Sequence, residues 1–293
     1  MCKNTNKPDE KREAVKYLVE KQGVSTRRAA RLVGVSRSTL RYEKAQDGSS
    51  RALTKDLKEL ACKYPRAGYR MLTRLLQSNG WEVNHKRVYR LYKMLELTLR
   101  RKRKKKLPAH VRLCLPKAEV ENQFWSIDFV SDTTMSGRTL RALTVIDDCT
   151  RECLTIYADY SIPGNKVVAE LDAIACKRGY PNYIRVDNGP EFRGATFREW
   201  AIRHGIKVVF IEPGKPYQNG YIESFNGRFR EECLNQNIFI TLQDCRIKIE
   251  KWRTFYNTIR PHSSLGVPPT SYARKLRKQE QNHGSCLVAS GAE

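Results

Sequence analysis

The chain begins in helical periods and changes to strand periods near residue 123. Pro8 suits a first helical position, Glu13, Ala14, Tyr17, Leu18 and Lys21 recur at helical spacing, and Gly23 stops the run. Ser25 is placed to cap a helix through TRRAARLV, Gly34 turns the chain, and Ser36 is placed to cap RSTLRYEKA. Ala30, Gly34 and Leu40 supply the small, turning and core residues that a helix-turn-helix needs. Its last helix would present Arg37, Ser38, Thr39 and Arg41 to a DNA groove; the competing reading is a three-helix mini-domain with a solvated basic face. A second unit has the same outline. AGYRMLTRLLQSNG is amphipathic and ends at Gly80, Trp81 and Val83 pack the turn, and Asn84 caps HKRVYRLYKMLEL, with His85, Lys86, Arg87 and Arg90 on or near one side. No run of heptads follows, so a coiled-coil dimerisation arm is not expected in this chain.

From Gln123 the period shortens to two. FWSIDFV alternates Trp125, Ile127 and Phe129 against Ser126, Asp128 and Val130, and TLRALTVIDD and RECLTIYAD follow as strands joined by a short turn. Then come a helix at NKVVAELDAIACKRG, a strand at YIRVDN, a helix at TFREWAIRHG, a strand at KVVFIEP and a helix at YIESFNGRFREECLN. Three strands followed by alternating helices and strands predict an α/β fold, a mixed sheet flanked by helices, preceded by all-α helix-turn-helix units. The expected limits are 1–48 and 49–99 for the two helical units, 100–120 for a linker, 121–275 for the α/β core and 276–293 for a loose tail of low hydrophobicity.

Charge divides the chain in the same place. Residues 1–120 carry a net +21 and residues 121–293 a net +3, within a total of +24. The first part is built for a polyanion and the second has the balance of an ordinary enzyme. The run RRKRKKK at 100–106, including Arg101, Lys102, Arg103 and Lys104, repels itself too strongly to pack; it reads as a linker that also grips phosphates, with nuclear targeting as the lesser alternative. Nine cysteines, with no CxxC and no His pair at metal spacing, argue against a disulfide framework and a structural zinc site. Neither a membrane span nor a signal peptide is visible, which predicts a cytoplasmic protein.

Three acids stand out by position. Asp128 lies mid-strand among bulky apolar residues, Asp187 closes YIRV at the turn DNGPEF, and Glu223 sits early in a helix 36 positions later. Acids are welcome in a first helical turn on electrostatic grounds alone, so Glu223 by itself says little. Burying several carboxylates near a core costs several kcal/mol unless something offsets it, and a divalent cation does so; oxygen donors of this kind suit Mg²⁺. At ~100° per residue, Ile222, Phe225, Phe229 and Cys233 form an apolar stripe, and Glu223, Asn226, Gly227 and Arg230 an adjoining polar face at the rim of the core. On that face Gly227 would leave room for a close neighbour, Asn226 would touch DNA, and Arg230 would hold a phosphate beside the metal. Asp147 and Asp148 end a strand and read as structural. Asn188 and Gly189 shape the turn carrying Asp187, Glu191 caps or pairs, His262 either contacts DNA or holds its loop, and Tyr217 and Gln218 suit a flap touching DNA.

WSIDFV, VDNGPEF and YIESFNGRFREECLN, with 35 residues between the second acid and the third and a basic residue seven after the Glu, resemble the DDE core of retroviral integrases and insertion-sequence transposases. RALTVIDDCTRECL, PGKPYQNG, FYNTIRPHSSLG and GYR…NHKRVYRL resemble more closely the second-frame transposase of the bacterial insertion-sequence family numbered three, over roughly residues 10–275. The resemblance implies an RNase H-like fold with Asp128, Asp187 and Glu223 as catalytic metal ligands. Two Mg²⁺ ions, for which Mn²⁺ would substitute, would serve cleavage of DNA at element ends and strand transfer. It implies terminal-repeat and target DNA as partners, a homo-oligomer on DNA, and a first-frame product or fusion supplying a coiled coil. No His/Cys zinc unit precedes the core, which separates the chain from retroviral integrases, and GVPPTSYA departs from the family's spacing. A DNA-binding regulator with a non-catalytic core, and a nuclease that cuts without joining, are the alternatives.

Overall fold

The structure is a computed structural model that describes residues 8–41, 48–99, 118–212 and 219–289. The basic run holding Arg101, Lys102, Arg103 and Lys104, and Tyr217 and Gln218 of the expected flap, lie outside the described residues. Backbone contacts divide the chain into two units, residues 1–55 and 56–293.

The first unit holds α1 (Pro8–Gln22), α2 (Thr26–Val33), α3 (Arg37–Arg41) and the start of α4 (Gly48–Lys63). Gly34 has φ 67°, the left-handed conformation that ends α2 and that glycine adopts without strain. Ser36 caps α3 as expected, its Oγ accepting from the Thr39 amide at 3.2 Å. Ser25 does not cap α2: its side chain makes no capping bond, and the helix start relies on other groups.

In the second unit α4 ends and α5 (Tyr69–Ser78) and α6 (His85–Met94) follow. Asn84 caps α6 by accepting from the Lys86 amide at 2.9 Å. These helices share one compact unit with the α/β core, where the Tyr64 ring stacks on Phe255 at 4.7 Å and Arg74 donates to the His262 carbonyl at 3.1 Å.

The core is a five-stranded sheet of β1 (Phe124–Thr133), β2 (Thr139–Asp147), β3 (Cys153–Asp159), β4 (Tyr183–Val186) and β5 (Lys207–Phe210), in the order β3-β2-β1-β4-β5. β1 to β3 are antiparallel neighbours; β4 and β5 are added parallel to β1. Trp125, Ile127, Leu143, Val145, Ile184 and Val186 pack one face against α7 (Gly164–Arg178), α8 (Pro190–Arg193) and α9 (Ala195–Arg203). Val130, Leu140, Ala142 and Ile156 pack the other against Ile222, Phe225 and Phe229 of α10 (Gly220–Glu232) and Ile249, Trp252 and Tyr256 of α11 (Leu242–Thr258). Period-two alternation in the strands thus feeds two separate cores, and each fully buried Phe or Ile stabilises the fold by ~1.5–3 kcal/mol. This is the mixed, helix-flanked, RNase H-like arrangement that the resemblance implies.

Two expectations are corrected. Residues 276–289 do not form a loose tail but continue α12 (Pro269–Ala289), because Leu276 packs against Ala118, Phe124 and Cys149, and Arg277 donates to Glu121 at 2.7 and 2.6 Å. Glu121 also receives Arg178, and these bonds, that from Arg277 foremost, hold its carboxyl below the usual range. Gly227 has no close neighbour, since a Cβ there would meet nothing within 4 Å. Gly227→Ala is therefore expected to stabilise α10 by about 0.5–1 kcal/mol, read as a higher urea midpoint at unchanged slope.

Candidate functional site

Parallel pairing sets the site. Trp125 lies opposite Ile184 and Ser126 opposite Arg185, so continuing the register by two residues brings Asp128 abreast of Asp187, just past the end of β4. The strand order reverses direction between β1 and β4, and the carboxyl ends of parallel strands at such a point form a crevice suited to ligands.

Asp128 is half-buried. One carboxylate oxygen accepts from the Phe129 amide at 2.8 Å and the other from Asn226 Nδ2 at 2.9 Å. Asn226 Oδ1 in turn lies 3.0 Å from the Thr144 hydroxyl, which is also 3.0 Å from the Asp128 carbonyl. The amide expected to touch DNA is thus used internally, tying α10 to β1 and β2, because Asn226 stands one turn beyond Glu223 on the face that α10 turns toward β1. Arg230, a further turn on, is exposed and donates to the Ser131 carbonyl at 3.0 Å, which places its guanidinium beside β1.

Asp187 is exposed at its turn, with Oδ1 accepting from the Gly189 amide at 3.1 Å. A Cβ on Gly189 would stand 3.0 Å from both Asp187 Oδ1 and Glu191 Oε2, tight enough to push both acids aside. Asn188 holds the turn by donating to the Ile211 carbonyl at 2.7 Å, and Glu191 pairs with Arg141 at 2.5 Å. Glu223, in the first turn of α10, is exposed rather than set into the rim of the core, and has no hydrogen bond or ion pair among the described residues.

Asp128 is where the charges of the other two acids are felt. Burial is the main cause that pushes the Asp128 carboxyl up, and the charges of Asp187 and Glu223 add to it. Burial likewise pushes Glu223 up. None of the three is ion-paired among the described residues. Nor, among those residues, are any three His, Cys, Asp or Glu side chains gathered closely enough to hold a metal ion as they are placed. The donors are of the right kind, hard carboxylate oxygens with no competing cation, while Asp187 and Glu223 remain to be drawn in by rotation.

The other sequence candidates fall into place around this site. Asp147 is fully buried and accepts from the amides of Asn122, Cys149 and Thr150, each at 2.8 Å. Asp148, also fully buried, is paired with Arg185 at 2.6 Å and accepts from Ser126 at 2.7 Å. His262 holds its own loop, its Nδ1 lying 3.0 Å from the Ser264 hydroxyl. Burial, followed by the charges of Arg260, Arg228, Arg151 and Arg74, lowers its pKa from 6.5 to about 4. Because the unfolded chain takes up that proton first, stability is expected to fall as pH drops from 6.5 toward about 4, and His262→Asn to flatten that fall in denaturation curves.

In the helical units Arg37 and Ser38 are exposed, with Ser38 and Thr39 both hydrogen-bonded to Ser36 at 2.8 and 2.7 Å; the side chain of Arg41 lies outside the described residues. His85, Lys86, Arg87 and Arg90 are all exposed on α6. A cleft of about 660 Å³ lies beside them, lined by Arg70, Arg74, Gln77 and His85. Arg70 and Arg74 were not singled out from sequence, although they lie at helical spacing on α5 beside a capped basic helix. Among the described residues no helix is long and apolar enough to cross a membrane.

Comparison with known proteins agrees with this layout. The integrase core domain family matches residues 118–216, and a second integrase core domain family matches 204–269. A helix-turn-helix family, the Psq domain, matches residues 7–49, and an HTH-like domain family matches 49–105. The 39.2 kDa protein of insertion element IS476 from Xanthomonas euvesicatoria is 47% identical over 94% of this chain and 80% of its own length. The 31.7 kDa protein of insertion element IS407 from Burkholderia multivorans is 46% identical over 88% of this chain and 94% of its own. The transposase of insertion sequence element IS904 from Lactococcus lactis is 27% identical over 68% of this chain and 84% of its own. Among solved structures, the HTLV-2 integrase catalytic core domain in complex with magnesium aligns with a TM-score of 0.44 at 18% identity, covering 53% of this chain and 98% of that one.

Proposed function

Since the chain belongs to the insertion-element transposases that carry an integrase core, we propose that Asp128, Asp187 and Glu223 are its catalytic metal ligands, serving strand cleavage and strand transfer at element ends. The observation that carries this reading is that the parallel register sets Asp128 abreast of Asp187, with the charges of Asp187 and of Glu223 on α10 both raising the Asp128 carboxyl and no ion pair to any of the three among the described residues. Mutual repulsion of this kind is relieved by a divalent ion, and Mg²⁺ is the one such donors suit. Bound Mg²⁺, two ions in this reading, supplies the charge that activates an attacking hydroxyl and stabilises a leaving oxygen.

The chain's own residues do the positioning. Asn226 holds one oxygen of Asp128 and the Phe129 amide the other, so the carboxylate is held in one orientation. Glu223 is free to rotate toward it. Arg230, anchored on the Ser131 carbonyl, is placed to take a phosphate oxygen of the strand lying along β1. The helix-turn-helix segments hold the element ends and the target, with Arg37, His85, Lys86, Arg87 and Arg90 toward the duplex, and the working form is a homo-oligomer on DNA in the cytoplasm. Assignment to the insertion-sequence family numbered three belongs to the same reading.

The test is strand cleavage and joining on labelled element-end duplexes with Mg²⁺ or Mn²⁺ and a chelator control. Joined products that vanish with chelator are expected. Binding without any cleavage would favour a regulator, and cleavage without joining a nuclease.

A further inference from the structure

The side of α10 turned away from the acids carries a second polar cluster. Tyr221 and Arg228 are seven positions apart and so nearly eclipsed around the helix, whereas Glu223 lies ~200° from Tyr221. The Arg151 guanidinium sits against the Tyr221 ring, 3.3 Å from its centroid. Arg151 comes from the β2–β3 turn, where its φ is 61°; its side chain is almost fully buried, and Nη1 has no hydrogen-bond partner. Arg74, on α5, donates to the carbonyl of His262 at 3.1 Å.

The acids nearby are already used. Glu232, on the same face of α10, is held by Arg260 through two bonds of 2.7 Å, and Asp148 is held by Arg185. Arg228 is half-exposed and has no acid and no hydrogen bond among the described residues. Arg74 is tied to the His262 loop by its bond of 3.1 Å, and the charges of Arg260, Arg228, Arg151 and Arg74 all add to the lowering of the His262 pKa that burial begins. Arg74 at the His262 loop, Arg151 against Tyr221 and Arg228 on the Tyr221 side of α10 are thus three guanidiniums without an ion pair among the described residues. Ordinary folding gives no reason to assemble them, since like charges gathered beside a protein interior repel, and a buried N–H left unused costs about 1–3 kcal/mol.

We propose that Arg228 and Arg74, with Arg151 beneath them, form a seat for the phosphate backbone of duplex DNA on the side of α10 opposite the three acids. Arginine suits the task because its planar fork takes two phosphate oxygens at once. A duplex engaged here is held by one side of α10 while the other side meets the acids, with only the ~10 Å thickness of the helix between the two. The inference rests on the reading of the chain as a DNA strand-transferring enzyme.

Fluorescence anisotropy of the full chain on a mixed-sequence duplex, titrated with salt, tests it. Arg228→Gln and Arg74→Gln are each expected to reduce the slope of log affinity against log salt by about 0.9, the value for one lost phosphate contact. Arg228→Lys, which keeps the charge, is expected to restore the slope, and the melting temperatures of the Arg228 variants are expected not to move. A fall in slope with either glutamine substitution that the lysine reverses supports the seat. Unchanged slopes with both overturn it, and Mg²⁺-dependent nicking by the same preparations then leaves the strand-transfer reading standing. Failure of the unsubstituted chain to bind or nick DNA overturns both.

Discussion

Asp128→Asn is expected to reduce Mg²⁺-dependent nicking of duplex DNA by on the order of 10³-fold or more, about 4 kcal/mol of barrier, while the affinity for DNA stays unchanged. The substitution is nearly isosteric and keeps an oxygen to accept from the Phe129 amide; its new NH2 loses the bond from Asn226 Nδ2, while β1, paired to β2 and β4, is expected to retain its shape. What it removes is the negative charge that Asp187 and Glu223 oppose and that a cation would bind. Asp128 is also the acid held through both of its carboxylate oxygens, by the Phe129 amide and Asn226, so its loss removes the most firmly oriented of the three. Single-turnover cleavage beside an anisotropy titration separates the two effects. Nicking at the parent rate would remove Asp128 from the catalytic set.

The largest expected loss of stability comes from Asp148→Ala. Asp148 and Arg185 are both buried and bonded at 2.6 Å, with the guanidinium lying over the Phe124 ring at 4.1 Å. Burial pushes the Asp148 carboxyl up to about 6 and pulls Arg185 down, so the pair gives little net stability over an apolar substitute. Removing one member is different, because Arg185 would then be a buried cation without its carboxylate, at a cost of about 3–5 kcal/mol. In a unit of this size, that corresponds to a melting temperature lower by on the order of 10 °C. Circular dichroism melts of Asp148→Ala and of Asp148→Ala with Arg185→Met would check it, with the double substitution expected to recover much of the loss.

Much of this architecture was legible in the sequence because period two and period 3.6 are imposed by which face is buried. Trp125 and Ile127 against Ser126 and Asp128 gave β1 its two faces, and Ile222, Phe225 and Phe229 gave α10 its buried stripe. Other helices passed unnamed although their periods are visible. Leu53 and Leu57 of α4 are fully buried one turn apart, and Cys245, Ile249, Trp252 and Tyr256 of α11 follow the same spacing. Residues 276–293 read as a tail because their composition is polar, yet Leu276 and Arg277 anchor that part of α12 to the core. Strand order and register are not written locally: no rule of spacing places Asp128 beside Asp187, which depends on β4 entering parallel to β1. The Asn226–Asp128 bond and the Arg cluster around His262 were hidden for the same reason, since each joins residues far apart in sequence.

Glu121 offers a last consequence. It stands three residues before β1 and grips Arg277, 156 positions later, so one carboxylate closes the core like a clasp between its first residues and its last helix. A truncation made after residue 275 removes Arg277 and would therefore be felt at Glu121, 156 positions away from that lost partner along the chain.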